Sequence, residues 1–342
     1  MADISPLTRR KIAAFRNHRR GWWSLWLFLG FFILSLCAEG IANDRPLLLS
    51  YKGKLHCPLL YDYQETDFGG EFAIAADYRD PAVYTAISGN GWMIWPPIRF
   101  AHDTVNYDAP AFPAPPSAQN WLGTDDQGRD IVARILYGFR LSILFGLGLS
   151  IISSAVGVTA GAIQGYYGGA VDLVFQRFME IWSGMPVLYL LIILSSMITL
   201  GFWSLLGVML LFSWMGLVHV VRAEFLRCRQ LDYVRAARAM GVRDRTIMFR
   251  HILPNAMVAT LSYMPFIFSG SVTTLTSLDF IGFGLPAGAP SLGELLAQGK
   301  NNLHAPWIGL TAFVTLGSLL CLLVFIGEAV RDAFDPNGGK RP

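Results

Sequence analysis

Long runs of apolar residues constrain this chain more than any other feature of its sequence. An α-helix rises about 1.5 Å per residue, so some 20 apolar residues cross the roughly 30 Å hydrocarbon core of a bilayer. We predict a transmembrane helix in each of six stretches, namely 21–42, 141–165, 172–200, 202–221, 258–280 and 306–330. Only 15% of the 342 residues are charged, against about 25% in soluble domains. The chain is therefore predicted to be an all-α integral membrane protein.

The distribution of Lys and Arg predicts the orientation of these spans, because the cytoplasmic flanks of membrane helices are rich in both residues. Six basic residues lie in 1–20, eight in 222–250 and three close to the C-terminus, whereas the loop 282–305 contains only Lys300. With six spans, the three basic segments fall on the same side. We predict that both termini, including the tail 336–342, are cytoplasmic.

The basic start of the chain, 1–20, followed by the apolar stretch 21–42, also resembles a secretory signal peptide. That stretch is longer than the apolar region of a signal peptide, which has about 7 to 15 residues, and it is not followed by an A-x-A cleavage site. An uncleaved first span is the interpretation that fits better.

A polar insertion, residues 43–118, separates the first two spans and is predicted to be periplasmic. It contains nine acidic and five basic residues. Its second half is rich in prolines, which stiffen a chain into extended geometry. A solvated loop is one interpretation of this segment. Because long loops are usually functional or disordered, and because Trp92 and Trp95 lie here, we favour a small folded element.

The cytoplasmic region between spans four and five, 222–256, carries the most informative motif. The motif runs Leu231-Asp232-Tyr233-Val234-Arg235-Ala236-Ala237-Arg238-Ala239-Met240-Gly241 and closes with His251-Ile252-Leu253-Pro254-Asn255. Asp232 can cap a short helix, and Gly241 can supply the left-handed residue that ends it. A second short helix is predicted over 244–251, with Pro254 beginning the return to the membrane. The product is a cytoplasmic helix-turn-helix.

One interpretation is that the arginines of this region only orient the chain and contact anionic lipid. Orientation does not require two alanines, a glycine four residues later and a Leu-Pro pair. That spacing resembles the EAA loop of binding-protein-dependent ABC importers, although Arg235 stands for its Glu and His251 for its Ile. The resemblance implies that this coupling loop (residues 222–256) contacts an ATPase through Asp232, Tyr233, Ala236, Ala237, Gly241, Leu253 and Pro254.

A second motif precedes span two and opens the predicted permease core, 119–335. Taken alone, it is a turn-rich lead-in with Asp130 as a possible helix cap. It also resembles the signature of the second permease in oligopeptide, dipeptide and nickel importers. Its residues are Gly123, Thr124, Asp125, Gly128, Arg129 and Asp130.

A third motif, residues 278–286 followed by Pro290-Ser291-Leu292-Gly293, resembles the same family with two departures. Leu275 and Asp279 stand where most members have Glu and Ser. These two departures, together with Trp95-Pro96-Pro97 in the polar insertion, make the chain resemble the Yej branch of the family. The resemblance implies an importer of peptides and of a peptide-nucleotide antibiotic, which importers of that branch take up.

Small and charged residues within the spans suggest internal contacts. Gly157, Gly161 and Gly165 repeat every four residues, a spacing that lets helices approach closely in lipid. The alternative interpretation of these glycines is a hinge.

Arg177 and Glu180 are three residues apart and are predicted to form an ion pair on one helix face. The alternative interpretation of this pair is a proton relay.

No enzymatic motif is present in the sequence. It contains no phosphate-binding loop, H-E-x-x-H or G-x-S-x-G, and its six histidines and four cysteines lack ligand spacing. We therefore predict no catalytic residue, no metal site and no bound cofactor, with ATP and magnesium used by a partner ATPase.

The resemblance implies a permease subunit of a peptide importer in the bacterial inner membrane, working by ATP-driven alternating access. Its implied partners are a homologous second permease, two cytoplasmic ATPases, a periplasmic peptide-binding protein and membrane lipid, without nucleic acid. A secondary transporter is one rival, but it would show inverted repeats and broken helices with midplane ion sites. A membrane enzyme is the other, and it would need a catalytic constellation.

Overall fold

The structure is a computed structural model that describes residues 6–334, and helices dominate it. The helices are α1 (Pro6–Asn17), α2 (Arg19–Leu36), α3 (Ala38–Ile41), α4 (Pro81–Asn90), α5 (Ile131–Tyr167), α6 (Gly169–Ser183), α7 (Val187–Met197), α8 (Phe202–Ser213), α9 (Met215–Cys228), α10 (Asp232–Ala239), α11 (Asp244–Thr246), α12 (Leu253–Phe280), α13 (Leu292–Asn301) and α14 (Pro306–Phe334). The strands are β1 (Leu48–Tyr51), β2 (Lys54–His56) and β3 (Gly91–Ile94).

Within residues 6–334, three helices are long and apolar enough to cross a membrane. They are α5 with 37 residues, the run Phe202–Cys228 that joins α8 to α9 with 27, and α14 with 29. Two further pairs of consecutive helices are each bent at a short break. The number of candidate spans rises to five if each bent pair is counted as one span. The first predicted span corresponds to α2, which has 18 residues and does not meet the same criterion. The total of six spans therefore stays a prediction.

The predicted span 172–200 is wrong as a single straight helix. It is broken between α6 and α7, whose axes differ by 62°. Pro186 is the residue before α7, and proline both lacks a backbone N–H and disfavours helical geometry in the residue before it. In α6, the Arg177 Nη1 and Glu180 Oε2 atoms are 2.5 Å apart, which confirms the predicted ion pair.

Helix α5 is the centre of the bundle and packs against α9, α12, α8 and α2. It begins earlier than the predicted span 141–165 because Asp130 caps it, accepting a 2.8 Å hydrogen bond from the Ala133 backbone N–H. Large apolar side chains remain exposed on the outer faces of other helices, among them Ile181, Trp203 and Phe313. Such an extensive apolar exterior is typical of a surface that faces lipid or another membrane subunit.

The insertion folds around a small core of its own. Strand β1 pairs antiparallel with both β2 and β3. Beneath the sheet, β1 and helix α4 bury a cluster of apolar side chains, Leu49, Tyr51, Phe68, Tyr78, Val83 and Ile87. A second cluster joins the insertion to the bundle, where Ile98 and Phe100 pack with Ala133 and Tyr137 of α5. The side of the membrane on which the insertion lies stays a prediction.

Candidate functional site

The coupling loop forms a short helix and a tight turn. Helix α10 begins at Asp232, but Leu231 occupies the capping position, and no side chain among the described residues caps the helix. At the other end Gly241 has a φ of +74°, the left-handed conformation that glycine adopts without strain. The Gly241 and Val242 N–H groups donate to the Arg238 and Ala237 carbonyls, at 2.9 and 3.1 Å. This is the Schellman arrangement of a helix end.

The chain returns to the membrane by an irregular route. Helix α11 has three residues and is followed by a π-helical turn, Ile247–Ile252, that leads directly into α12. The predicted helix over 244–251 is therefore not a separate α-helix. Pro254 lies in the first turn of α12, directly after the π-helical turn, and contributes no backbone N–H there.

Burial divides the predicted contact residues of α10 into two sets. Val234 and Ala237 point into a core that includes Phe225 and Ile247, and Ala237 is only 3% exposed. Ala236 lies on the exposed face. The prediction that Ala237 is available to an ATPase therefore needs correction, because its methyl group is covered by the chain itself.

The remaining predicted contact residues are more accessible. Asp232, Tyr233, Gly241 and Pro254 are exposed, and Leu253 is half-buried. The Tyr233 hydroxyl accepts a 3.3 Å hydrogen bond from Asn255 Nδ2, and partial burial raises the pKa of Tyr233 above its ordinary value. This tyrosine therefore remains neutral and anchors α10 to the start of α12.

The exposed side of the coupling loop is strongly positive. Five arginines on it are exposed and pair with no carboxylate within residues 6–334, namely Arg235, Arg238, Arg243, Arg245 and Arg250. Arg238 stacks with its Cζ atom 4.9 Å from the ring centroid of Tyr166, and the Tyr166 hydroxyl donates to Asp244. These contacts fix the coupling loop to the end of α5. The surface is suited to an acidic protein groove or to anionic lipid headgroups.

The motif before α5 forms a buried ion cluster at the opposite end of that helix. Asp125 Oδ2 lies 2.7 Å from Arg129 Nε and 3.4 Å from Arg134 Nε. Glu294 of α13 completes the ion cluster, with Oε2 at 2.8 Å from Arg134 Nη2 and Oε1 at 3.2 Å from Arg129 Nη2. Arg134 and Asp125 are fully buried. The ion cluster thus joins α13 to the start of α5.

The other residues of this motif attach the insertion to the bundle. The Thr124 hydroxyl accepts a 2.8 Å bond from the Ala114 N–H, and Asp130 accepts a 2.8 Å bond from Asn120 Nδ2. Burial raises the pKa of Asp130 above its ordinary value. Gly123 and Gly128 both have positive φ, and a Cβ atom on Gly123 would lie 2.7 Å from the Ala114 carbonyl oxygen. The motif therefore has a structural role at the junction.

The three regularly spaced glycines of α5 face α9. A Cβ atom would lie 2.6 Å from the Trp214 carbonyl oxygen at Gly157 and 2.8 Å from that of Val218 at Gly161. At Gly165 it would lie 2.5 Å from the Phe225 Cβ atom. The two backbones approach so closely that no side chain fits between them, as is typical of small-residue faces in membrane helices.

Substitution of Gly161 should therefore destabilise the bundle. We expect Gly161→Ala to lower the midpoint of thermal unfolding of the detergent-purified protein, by an overpacking cost of about 1–3 kcal/mol. Gly216→Ala in α9 is the matched control, because no atom of residues 6–334 lies within 4 Å of its Cβ position. Equal unfolding midpoints for the two variants would contradict the close-packing role.

Glu294 and Gln298 belong to the ion cluster, but their role could not be predicted from the sequence motif. The Gln298 amide donates to Glu294 Oε1 at 3.2 Å. The two residues lie in a short amphipathic segment far along the chain from the motif that they contact. Ser291 caps α13, and its hydroxyl donates to the Asp279 carboxylate. A serine followed by an acidic residue three positions later is a helix-start signal, but it does not identify a distant partner.

Comparison with known proteins defines the class of this molecule. Residues 157–337 match the family described as "Binding-protein-dependent transport system inner membrane component". The chain belongs to this family and is therefore a membrane permease subunit of that class of transport system.

Individual relatives resemble nearly the whole chain. The "Inner membrane ABC transporter permease protein YejE" of Escherichia coli (strain K12) is 62% identical over 338 residues, which covers 98% of this chain and 99% of the relative. The "Peptidoglycan transport system permease protein YejE" of Agrobacterium fabrum is 59% identical, covering 97% and 94%. The "Oligopeptide transport system permease protein OppC" of Lactococcus lactis (strain IL1403) is 35% identical, covering 67% and 79%. The predicted family is confirmed.

Proposed function

We propose that this chain is one of two permease subunits of an ABC importer for peptides or peptide-like compounds. The family membership and the names of the relatives, which include peptidoglycan and oligopeptide transport system permeases, support a peptide-type substrate. In this proposal the chain forms the translocation path with a homologous permease, and a periplasmic binding protein delivers the substrate. The chain itself is not an enzyme, because two separate cytoplasmic ATPases bind and hydrolyse magnesium-ATP.

The observation that carries the proposal is the coupling loop at the end of α5. Its exposed face combines Ala236 with five arginines that have no carboxylate partner within residues 6–334. Small side chains allow close approach of another protein, and the arginines provide long-range attraction to an acidic surface. ATP-driven movement of the ATPases would be transmitted through α10 to α9 and α12, which reorient around the path.

The length of α5 supports opposite locations for the coupling loop and the insertion. The helix has 37 residues and is about 55 Å long at 1.5 Å per residue, which exceeds the roughly 40–45 Å thickness of a bilayer with its headgroups. Its first residues contact the insertion and its last residues contact the coupling loop. Together with the basic residues of the coupling loop, this supports a cytoplasmic coupling loop and a periplasmic insertion.

Reconstituted uptake tests the proposal. We expect proteoliposomes that contain this chain and its co-purifying subunits to accumulate labelled peptide only when ATP and a binding protein are both supplied. A mixture without ATP is the control. Uptake driven by an ion gradient, without ATP, would instead identify a secondary transporter, and transport by a homodimer of this chain alone would contradict the two-permease arrangement.

A further inference from the structure

The insertion contains two adjoining cavities that the proposed permease function does not use. The first has a volume of about 390 Å³ and the second about 590 Å³. They share Tyr78, Arg79 and Asp108 as lining residues. Both volumes fall in the range of small-molecule sites, about 300–1,000 Å³. The three shared residues place the two cavities side by side, within reach of the two ends of one elongated ligand.

The first cavity presents two arginines without a carboxylate partner. The Arg79 Cζ atom lies 4.5 Å from the ring centroid of Phe100, and the Arg99 Cζ atom lies 5.4 Å from that of Trp95. Among residues 6–334, neither guanidinium group forms a salt bridge. A guanidinium that stacks on an aromatic face keeps its N–H edge free for two parallel hydrogen bonds to a carboxylate. Two arginines against Asp108 leave this cavity with one net positive charge.

Trp95 adds an unused donor beside these arginines. Its Nε1 atom is buried and has no acceptor within the described part of the chain. An unpaired buried donor is unfavourable. A carboxylate oxygen that reaches the edge of the indole would provide the missing acceptor.

The second cavity has the opposite charge. Four aspartates line it, Asp44, Asp77, Asp80 and Asp108, against Arg45 and Arg79, which leaves two net negative charges. Arg45 is already paired with Asp62. This cavity is therefore suited to a cationic group such as an ammonium.

We propose that the insertion binds a short peptide with free termini, its carboxylate between Arg79 and Arg99 and its amino group in the adjoining acidic cavity. The opposite charges of the two cavities match the two ends of a zwitterionic peptide, and Tyr78 and Asp108 form the shared wall. The inference rests on the proposed function and deepens it, because it gives the insertion a role in holding the substrate.

Direct binding of defined peptides tests this inference. The transporter is purified with its co-purifying subunits in lipid nanodiscs, without a binding protein, and trialanine is added in saturation-transfer NMR titrations. We expect trialanine to bind, and trialanine amide and N-acetyl-trialanine to bind about tenfold more weakly, because each lacks one charged end. Equal binding of all three peptides, or no binding of trialanine, would overturn the inference.

Matched variants locate the site within the insertion. We expect Arg79→Gln together with Arg99→Gln to weaken trialanine binding about tenfold or more. Lys52→Gln together with Lys54→Gln removes two positive charges from the same insertion at residues that line neither cavity, and it should bind normally. Arg99→Gln alone, at an exposed residue, keeps the test valid if the double variant is misfolded, and its binding should also weaken. Unchanged binding in Arg99→Gln and in a folded double variant would overturn the inference.

The outcome for this site is separable from that for the proposed function. If the arginine variants bind trialanine normally but lose uptake, the arginines contact a carboxylate of the binding protein and the inference is wrong. ATP-dependent uptake by the unmodified chain would still stand in that case. Loss of both trialanine binding and uptake in the arginine variants, with both retained in the lysine control, supports the inference.

Discussion

The Ala236→Glu variant should reach the membrane at a normal level and lose most of its ATP-driven uptake. Ala236 lies on the exposed face of α10, and glutamate is a good helix former, so α10 should persist. If this face contacts an ATPase, the variant introduces bulk and a charge that must be desolvated. The cost is about 1–3 kcal/mol, which corresponds to roughly fivefold to 150-fold weaker association. Co-purified ATPase and peptide uptake are the measurements.

Two further variants separate contact from internal stability. Ala237→Glu should instead lower the unfolding midpoint of the chain, because that side chain is buried against Phe225 and Ile247. Gln230→Glu adds the same charge in the exposed turn before α10. It should have little effect on uptake or ATPase association if packing rather than charge governs the contact. Normal uptake and normal ATPase association in Ala236→Glu would restrict the coupling loop to a role in orientation.

In the coupling loop, local sequence patterns predicted the backbone conformation but not the burial of the side chains. The alanines and Gly241 predicted a short helix that ends in a left-handed residue, because both features depend on residues close together in the sequence. The burial of Ala237 could not be predicted in this way. Which face of an eight-residue helix points inward depends on the π-helical turn Ile247–Ile252 and on α9, and the motif does not encode their placement.

The spans show the same limit at a larger scale. Hydropathy located the apolar stretches of α5, α8 and α14, but it averages over a window and does not register a change of direction. The 62° bend between α6 and α7 and the 61° bend between Asp244–Val258 and Thr260–Phe280 both lie inside apolar sequence. Pro186 was a visible signal for the first bend. Close to the second bend, Pro265 lies inside α12, where its missing N–H and its ring disturb the turn that begins four residues earlier. This bend therefore also had a visible signal in the sequence.

Only part of the ion cluster could be recognised from the sequence. Asp125, Arg129 and Arg134 stand close together and could be recognised as a charged motif. Glu294 contacts Arg134 across 160 positions of chain, and only the packing of α13 against α5 brings the two residues together. The sequence therefore contained the charges of the ion cluster but not the pairing that neutralises them.

Loss of the Glu294 carboxylate should destabilise the chain strongly, because it removes one of the two carboxylates that neutralise the buried arginines. Glu294→Leu leaves Arg129 and Arg134 buried with Asp125 as their remaining carboxylate partner. Removal of one partner from a buried ion pair costs about 3–5 kcal/mol. We expect a clear fall in the unfolding midpoint of the purified protein and a lower yield in the membrane. Glu224→Gln breaks the exposed pair with Arg227 and is the control, since surface pairs contribute about 0–1 kcal/mol.

A double-mutant cycle then tests whether Glu294 acts through Arg134. Arg134→Met removes the buried guanidinium and leaves an apolar side chain of similar length in its place. If the loss in Glu294→Leu arises from an unneutralised buried charge, the double variant should be more stable than Glu294→Leu alone. Replacement of a whole buried pair by apolar groups is often neutral, whereas removal of one partner is not. Additive effects of the two substitutions on unfolding would contradict a direct interaction, because residues in contact show coupling of about 0.5–3 kcal/mol.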